Sequence, residues 1–303
     1  MRRLRISIVE YLNTAPLVWG FTDGPLVGKY DLSFTVPSQC AEALRRGDAD
    51  VAIIPSIEYQ RIGGLVVLPD MAVASDTEAR SLLVVAKVPV EMARTFALDT
   101  SSRSTAALAR ILAKRHWKIT PEFVPAAPDP SAMLEKADAA LVIGDPALRV
   151  ALKMAALAAK TPSADNCCSG DAEDMPVPGV DALFVYDVVH QWREMTSKPA
   201  VLAIWAGRRD AVTPEVVADF QASKAWGLRH IRDIAEGAAL KLELSPCPLE
   251  KYLRRNIQFD LNEERLAGLR LFYQIAAEDG LIPAARPIEF ADAPAAIGAR
   301  GDV

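Results

Sequence analysis

Cysteine is scarce. The four in 303 residues are Cys40, Cys167, Cys168 and Cys247. No C-x-x-C spacing or matching histidine spacing accompanies them, so the pattern supports neither a disulfide framework nor a zinc module, and ordinary reduced thiols are expected. The adjacent Cys167 and Cys168 lie in the loop-like stretch 161-TPSADNCCSGDAEDMPVPG-179, where exposure would make them redox-sensitive. Histidine is scarcer still: His116, His190 and His230 are scattered among charges on helical patterns, as surface residues are. No window reaches the roughly 18 consecutive apolar residues of a membrane-spanning helix; 200-AVLAIWAG-207 and 82-LLVVA-86 are strand-sized. The first residues, 1-MRRLRISIVEYLNTAPL-17, meet Glu10 and Asn13 before any apolar stretch of signal-peptide length. A soluble, cytoplasmic protein is therefore expected.

Charge of one sign is missing too. Thirty-four Lys and Arg against 39 Asp and Glu give a formal charge of −5, with both signs interspersed. Nucleic acid and anionic membrane are thus excluded as expected partners. A small anion stays compatible, because a local cluster of donors can oppose the net charge. The run 24-GPLVGK-29 falls one residue short of a phosphate-binding loop and lacks the Ser/Thr after Lys29. Neither G-x-G-x-x-G nor G-x-S-x-G occurs at a strand end, so the sequence predicts no metal or organic cofactor and no serine nucleophile. The tripeptide 46-RGD-48 reads as the end of a helix.

What is present is alternation. An apolar content of 51% in 303 residues favours two modest cores over one. Strands are expected at 4-LRISIV-9, 31-DLSFTVP-37 and 50-DVAIIP-55, the last continuously apolar like a parallel strand covered on both faces. A turn with a short helix at 13–21 and a helix at 38–48 lie between them. The pattern repeats: strand 95–99, helix from Ser104, strand 120–125, helix 131–137, strand 138–144. Two α/β units in one chain leave a cleft. Between and after them run two further extended apolar segments, 81–89 and 199–207, as a domain inserted into another requires. The expected division is a discontinuous α/β domain, 1–86 with 203–303, interrupted by an inserted one, 87–202. From Thr213 the chain reads as helical. In 262–280, Leu266, Leu269, Tyr273 and Ala276 share one helix face, and Gly280 is placed to end the helix before Pro283.

The stretch 98-LDTSSRSTAAL-108 holds an acid, hydroxyls and an arginine where a strand passes into a helix. Unpaired backbone N–H groups and the positive end of the helix dipole suit a carboxylate there. Ser101, Ser102, Ser104 and Thr105 exceed what a single cap needs; Arg103 is suited either to pairing with an acid or to fixing the loop. A second candidate is 143-IGDPAL-148: Gly144 permits close approach, Asp145 caps, and Pro146 suits the first helical position. Asn13 in 11-YLNTAPL-17 offers a donor and an acceptor, and Ser56 and Ser81 stand at a strand end and at the start of a crossing strand. Taken singly, each reads as a cap. Together they lie at strand carboxyl ends, where α/β units bind ligands.

In order along the chain, Y-L-N-T-A-P-L, L-R-R-G-D-A-D-V-A-I-I-P-S-I-E-Y, R-S-L-L-V-V-A-K-V-P, L-D-T-S-S-R-S-T, I-G-D-P-A-L, W-R-E-M-T-S-K-P-A-V-L-A-I-W-A and Y-L-R-R-N-I-Q-F-D-L resemble the chorismate dehydratase family of menaquinone biosynthesis over nearly the whole length. Residues 150 to 180 run longer and more irregularly than the family pattern. The triplet 103-RST-105 stands where an arginine followed by Thr-Ser is expected, an exchange that keeps both donors. The resemblance implies a fold like type II periplasmic binding proteins, with two α/β domains, two crossing strands and a ligand cleft between them.

It further implies a lyase of the futalosine route that removes water from chorismate to give 3-[(1-carboxyvinyl)oxy]benzoate. Asn13 is the implied catalytic position, with Ser56, Ser81, Ser101, Ser102, Arg103, Ser104, Thr105, Gly144 and Asp145 as substrate-binding residues. An amide is a poor base, so the substrate's own carboxylate is the alternative proton acceptor, with Asn13 orienting it; Asp99 and Glu58 are read as structural. Competing expectations are a sibling enzyme forming 1,4-dihydroxy-6-naphthoate, a non-catalytic small-anion-binding protein and the effector domain of a transcription regulator. The last would need an N-terminal helix-turn-helix in place of the strand at 4–9. Monomer and homodimer are equally compatible with the sequence.

Overall fold

The computed structural model describes residues 2–158 and 183–293; Cys167 and Cys168 lie outside the described residues. The strands are β1 (Arg5–Val9), β2 (Asp31–Thr35), β3 (Val51–Pro55), β4 (Leu65–Ser75), β5 (Leu82–Ala86), β6 (Thr95–Asp99), β7 (Glu122–Ala126), β8 (Ala139–Ile143), β9 (Phe184–Asp187) and β10 (Ala200–Arg208). The helices are α1 (Ala15–Thr22), α2 (Pro37–Arg46), α3 (Ser56–Arg61), α4 (Ser104–Arg115), α5 (Pro130–Lys136), α6 (Gly144–Ala158), α7 (Val188–Thr196), α8 (Pro214–Arg229), α9 (Ile231–Leu242), α10 (Pro246–Lys251) and α11 (Glu263–Glu278).

Two five-stranded sheets form, in the orders β2-β1-β3-β10-β4 and β7-β6-β8-β5-β9. They share one topology. In the first, β1 runs parallel to β2 and β3, and β10 enters antiparallel between β3 and β4. In the second, β6 runs parallel to β7 and β8, and β5 enters antiparallel between β8 and β9. Each sheet is completed by a strand arriving directly from the other. The chain passes between sheets from Ser75 to Leu82 and again from Asp187 to Ala200. Every residue of β3, β5 and β8 is buried, as expected of central strands covered on both faces.

Local chemistry sets the ends of elements. Gly47, with φ 78°, closes α2 immediately after Arg46, so 46-RGD-48 is a helix end. The Asn262 side chain accepts the N–H of Arg265 at the start of α11, and Gly280, with φ 71°, follows its last turn. Leu266, Leu269, Tyr273 and Ala276 are all buried. Helices α1 and α8 pack at backbone distance, since a Cβ on Gly227 would lie 2.0 Å from the carbonyl oxygen of Pro16. That contact fixes α1, and with it the Leu12–Thr14 turn that carries Asn13.

Candidate functional site

The carboxyl ends of β1, β3, β6 and β8 converge on a cleft of about 460 Å³, including its solvent-facing mouth. Asn13, Ser102, Arg103, Ser104, Thr105 and Gly144 line it together with Tyr11, Thr14, Pro37 and an apolar wall including Val73, Leu82, Ile143 and Leu202. Apolar walls with a few placed polar groups suit a small ring bearing charged substituents. Ser56, Ser81, Ser101 and Asp145 are absent from the lining.

The hydroxyls of 101–105 divide by partner. Ser101 donates to Asp99 Oδ1 at 2.6 Å, and its backbone N–H reaches the same oxygen at 2.8 Å. Burial pushes the Asp99 carboxyl up, against these bonds. Ser104 Oγ accepts the Ile57 N–H and lies 3.1 Å from Ser56 Oγ, which itself donates to the carbonyl of Val201 at 2.7 Å. With the Ser56 proton committed, Ser104 is the donor of that pair, so its hydroxyl is occupied on both sides and ties the start of α4 to the start of α3. No hydrogen bond joins the hydroxyl of Ser102 or of Thr105 to another described residue, and both line the cleft. The first N–H groups of α4 lack intrahelical partners by geometry, and no side chain caps them.

Arg103 faces acids. Its guanidinium donates to Glu58 Oε2 at 3.0 Å and to Glu42 Oε1 at 2.7 Å. Glu58 is fully buried and also receives Arg45 and Arg61. Opposite, Gly144 at the start of α6 has φ 66°, and a Cβ there would lie 2.6 Å from the Tyr11 ring. Both constraints demand glycine. Tyr11 is half-buried, and its hydroxyl stands 3.5 Å from Ser101 Oγ. Burial raises its phenol above the usual range.

At the back of the cleft, Ser81 Oγ accepts the Tyr252 O–H at 2.8 Å and points to the carbonyl of Ala79 at 3.3 Å. Asn13 is 9% exposed and lines the cleft. Tyr11 and Tyr252 both sit in the sequence stretches that carry the family resemblance, yet nothing local marks their hydroxyls as part of the site; the signal is a tyrosine beside a polar motif residue. Among the described residues, no three of His, Cys, Asp and Glu gather as metal ligands would, and no helix is long and apolar enough to cross a membrane.

Two sheets of one topology that exchange a strand and close a cleft at their carboxyl ends define a periplasmic-binding-protein-like fold. Solved structures share it. A crystal structure of a protein from Archaeoglobus fulgidus superposes with TM-score 0.70 at 18% identity, covering 92% of this chain and 98% of that one. The periplasmic aliphatic sulphonate binding protein of Escherichia coli superposes with TM-score 0.58 at 16% identity, covering 94% and 95%. The chain belongs to the menaquinone biosynthesis family, whose sequence profile matches residues 4–278. A chorismate dehydratase of Thermus thermophilus is 27% identical over 274 residues, spanning 90% of this chain and 94% of that protein.

Proposed function

We propose that this protein is a cytoplasmic chorismate dehydratase, a lyase that converts chorismate to 3-[(1-carboxyvinyl)oxy]benzoate and water in the futalosine route to menaquinone. Likeness to the Thermus thermophilus enzyme over nine-tenths of the chain supports the reading. The observation that carries it is the pair of partner-free hydroxyls, Ser102 and Thr105, at the uncapped start of α4 inside an otherwise apolar cleft. A carboxylate of the substrate binds there, taking the two hydroxyls and the first N–H groups of the helix. The other carboxylate lies toward Gly144 and the start of α6, with Tyr11 against one face of the ring. Ser56, Ser101, Ser104 and Asp145 hold these groups in place from behind, and Arg103 fixes the 101–105 turn through Glu42 and Glu58.

The reaction breaks the C–H bond at the ether-bearing ring carbon and the C–O bond of the neighbouring hydroxyl. The electron pair of the C–H bond becomes the third ring double bond, and hydroxide leaves with the released proton as water. Aromatisation makes the step downhill, so the protein's tasks are alignment and exclusion of water. The substrate carboxylate takes the proton and Asn13 orients the reacting groups. No metal or organic cofactor is required. We place the domain boundaries in the two crossings, so that residues up to and including Ser75 and from Ala200 onward form one unit around the first sheet. The deciding experiment incubates purified protein with chorismate and follows absorbance and mass. Aromatic product lighter by one water is expected; unchanged chorismate would refute the assignment, and retention of bound, unaltered chorismate would indicate a binding protein instead.

A further inference from the structure

Tyr11 is held at both ends. Its backbone carbonyl accepts the Thr14 N–H at 3.1 Å and the Thr14 hydroxyl at 2.8 Å, and its ring lies so close over Gly144 that a Cβ there would come within 2.6 Å of it. The side chain lines the cleft, with its hydroxyl between the 101–105 turn and the start of α6. Among the described residues that hydroxyl has one hydrogen-bonding contact, Ser101 Oγ at 3.5 Å. Ser101 does not donate to it, because the Ser101 proton goes to Asp99 Oδ1 at 2.6 Å. Donation the other way spans 3.5 Å, well beyond the roughly 2.8 Å usual for O–H···O. The Tyr11 proton is thus available to a better acceptor in the cleft.

Elimination leaves few competitors for that task. Of the other polar side chains on the lining, Arg103 is engaged by Glu42 and Glu58, Ser104 by Ser56 and Ile57, and Thr14 turns its hydroxyl back to the carbonyls of Val9 and Tyr11. Ser102 and Thr105 stand together at the start of α4, where the function proposed above puts a substrate carboxylate. Apart from Asn13, Tyr11 alone among the described lining residues keeps an uncommitted side-chain donor.

Resting on that function, we infer that Tyr11 is a further catalytic residue, whose O–H donates to the oxygen of the ring hydroxyl as that oxygen departs. Elimination requires the breaking C–O bond to stand nearly perpendicular to the ring, aligned with the electron pair released from the C–H bond. A group that meets the departing oxygen must then approach across a ring face, the side on which Tyr11 is placed. Negative charge builds on this oxygen only as the bond breaks, so the donor acts mainly in the transition state. No proton leaves the phenol. Hydroxide takes the proton held by the substrate carboxylate, and Tyr11 keeps its own. Burial, with the charges of Asp99 and Asp145, holds the phenol above its usual range, which suits a donor that stays neutral.

Tyr11→Phe keeps the ring over Gly144 and removes only the oxygen. On chorismate, kcat is expected to fall about 100-fold, with KM within about fivefold of the parent. The product carries no ring hydroxyl, so its affinity, measured by titration calorimetry, should stay within about twofold; a merely structural role would weaken it as well. A second measurement uses chorismate with 18O in the ring hydroxyl. Discrimination against the heavy isotope should be larger in Tyr11→Phe than in the parent, because unassisted C–O cleavage then limits the rate. Undiminished kcat, a loss of product affinity that matches the loss of turnover, or an unchanged isotope effect would overturn the role of Tyr11 and leave the reaction standing. Chorismate left unaltered by the parent protein would overturn the reaction, and the role with it.

Discussion

The carboxylate of Asp145 accepts the backbone N–H of Leu12 at 2.9 Å, joining the loop after β1 to the first turn of α6 and so one sheet's carboxyl end to the other's. Asp145 accordingly joins the two sides of the cleft. Burial raises its carboxyl above the ordinary 3.8, against the lowering effects of the Leu12 N–H, Lys241 and Arg149. A carboxyl raised by folding holds its proton more tightly in the folded state. Its contribution is therefore most favourable below the ordinary value and is lost as pH climbs through the raised one. Asp145→Asn keeps an acceptor for Leu12 and abolishes the ionisation. Urea denaturation at about pH 4 and about pH 7 should show the variant gaining on the parent at the higher pH; a constant difference would contradict this.

Gly144→Ala meets two penalties that can be separated. The φ of 66° strains any L residue, by about 1 kcal/mol, and the new Cβ would fall 2.6 Å from the Tyr11 ring. We expect a loss of about 2–3 kcal/mol in stability together with weaker chorismate binding. Adding Tyr11→Ala to this variant should recover the steric part and leave the backbone part. Thermal denaturation of the two single variants and the double variant measures this coupling, and simple additivity would show that the ring does not press on position 144.

Legibility in the sequence followed periodicity. The parallel strands and the helices after them were plain, because β3 and β8 are uninterrupted apolar runs and α2, α4 and α11 carry a buried face. Strand β4 was not anticipated. Its middle carries Pro69 and Asp70, a turn signal, and Asp70 indeed has φ 60°; the strand continues through it because β10 pairs with both halves across a register shift. Short β9 also escaped notice, with only four residues. At the site, hydroxyls at strand ends marked the region but not their partners. That Ser104 is spent on Ser56 and Ile57 depends on long-range contacts that no local pattern encodes, whereas the bonds of Ser101 to Asp99 span only two residues.

Those contacts give different expectations for neighbouring hydroxyls. Thr105→Val and Ser102→Ala each remove a donor that faces the cleft, at little cost to the fold. A hydrogen bond to a charged group is worth about 1.5–3 kcal/mol, so chorismate affinity should fall roughly 10- to 100-fold. Ser104→Ala instead leaves the Ile57 N–H unpaired and should cost about 1–3 kcal/mol in stability. Equilibrium binding and urea denaturation on the three variants test the split. Equal effects on both measurements for all three would show that the division by partner has no energetic meaning.

Glu58 gathers three guanidiniums, from Arg45 at 2.5 Å, Arg61 at 2.8 Å and Arg103 at 3.0 Å, while exposing none of its own side chain. Arg103 alone comes from the second sheet's side of the cleft, and it bridges to Glu42 as well. Glu58→Gln would leave three cations around a neutral amide, and breaking a buried pair of this kind costs about 3–5 kcal/mol. The arginines are 27–37% exposed, so the lower end is expected. Arg103→Ala leaves Glu58 with two partners and Glu42 with Arg45. It should therefore cost less stability, yet release the 101–105 turn and weaken chorismate binding more than it weakens the fold. Arg103→Lys should restore little of this, because an ammonium cannot span two carboxylates as a guanidinium does. Urea denaturation alongside equilibrium binding gives both orderings. A larger stability loss in Arg103→Ala than in Glu58→Gln, or full binding in Arg103→Lys, would show that Glu58 is not the centre of the network and that the two-acid bridge does not hold the turn.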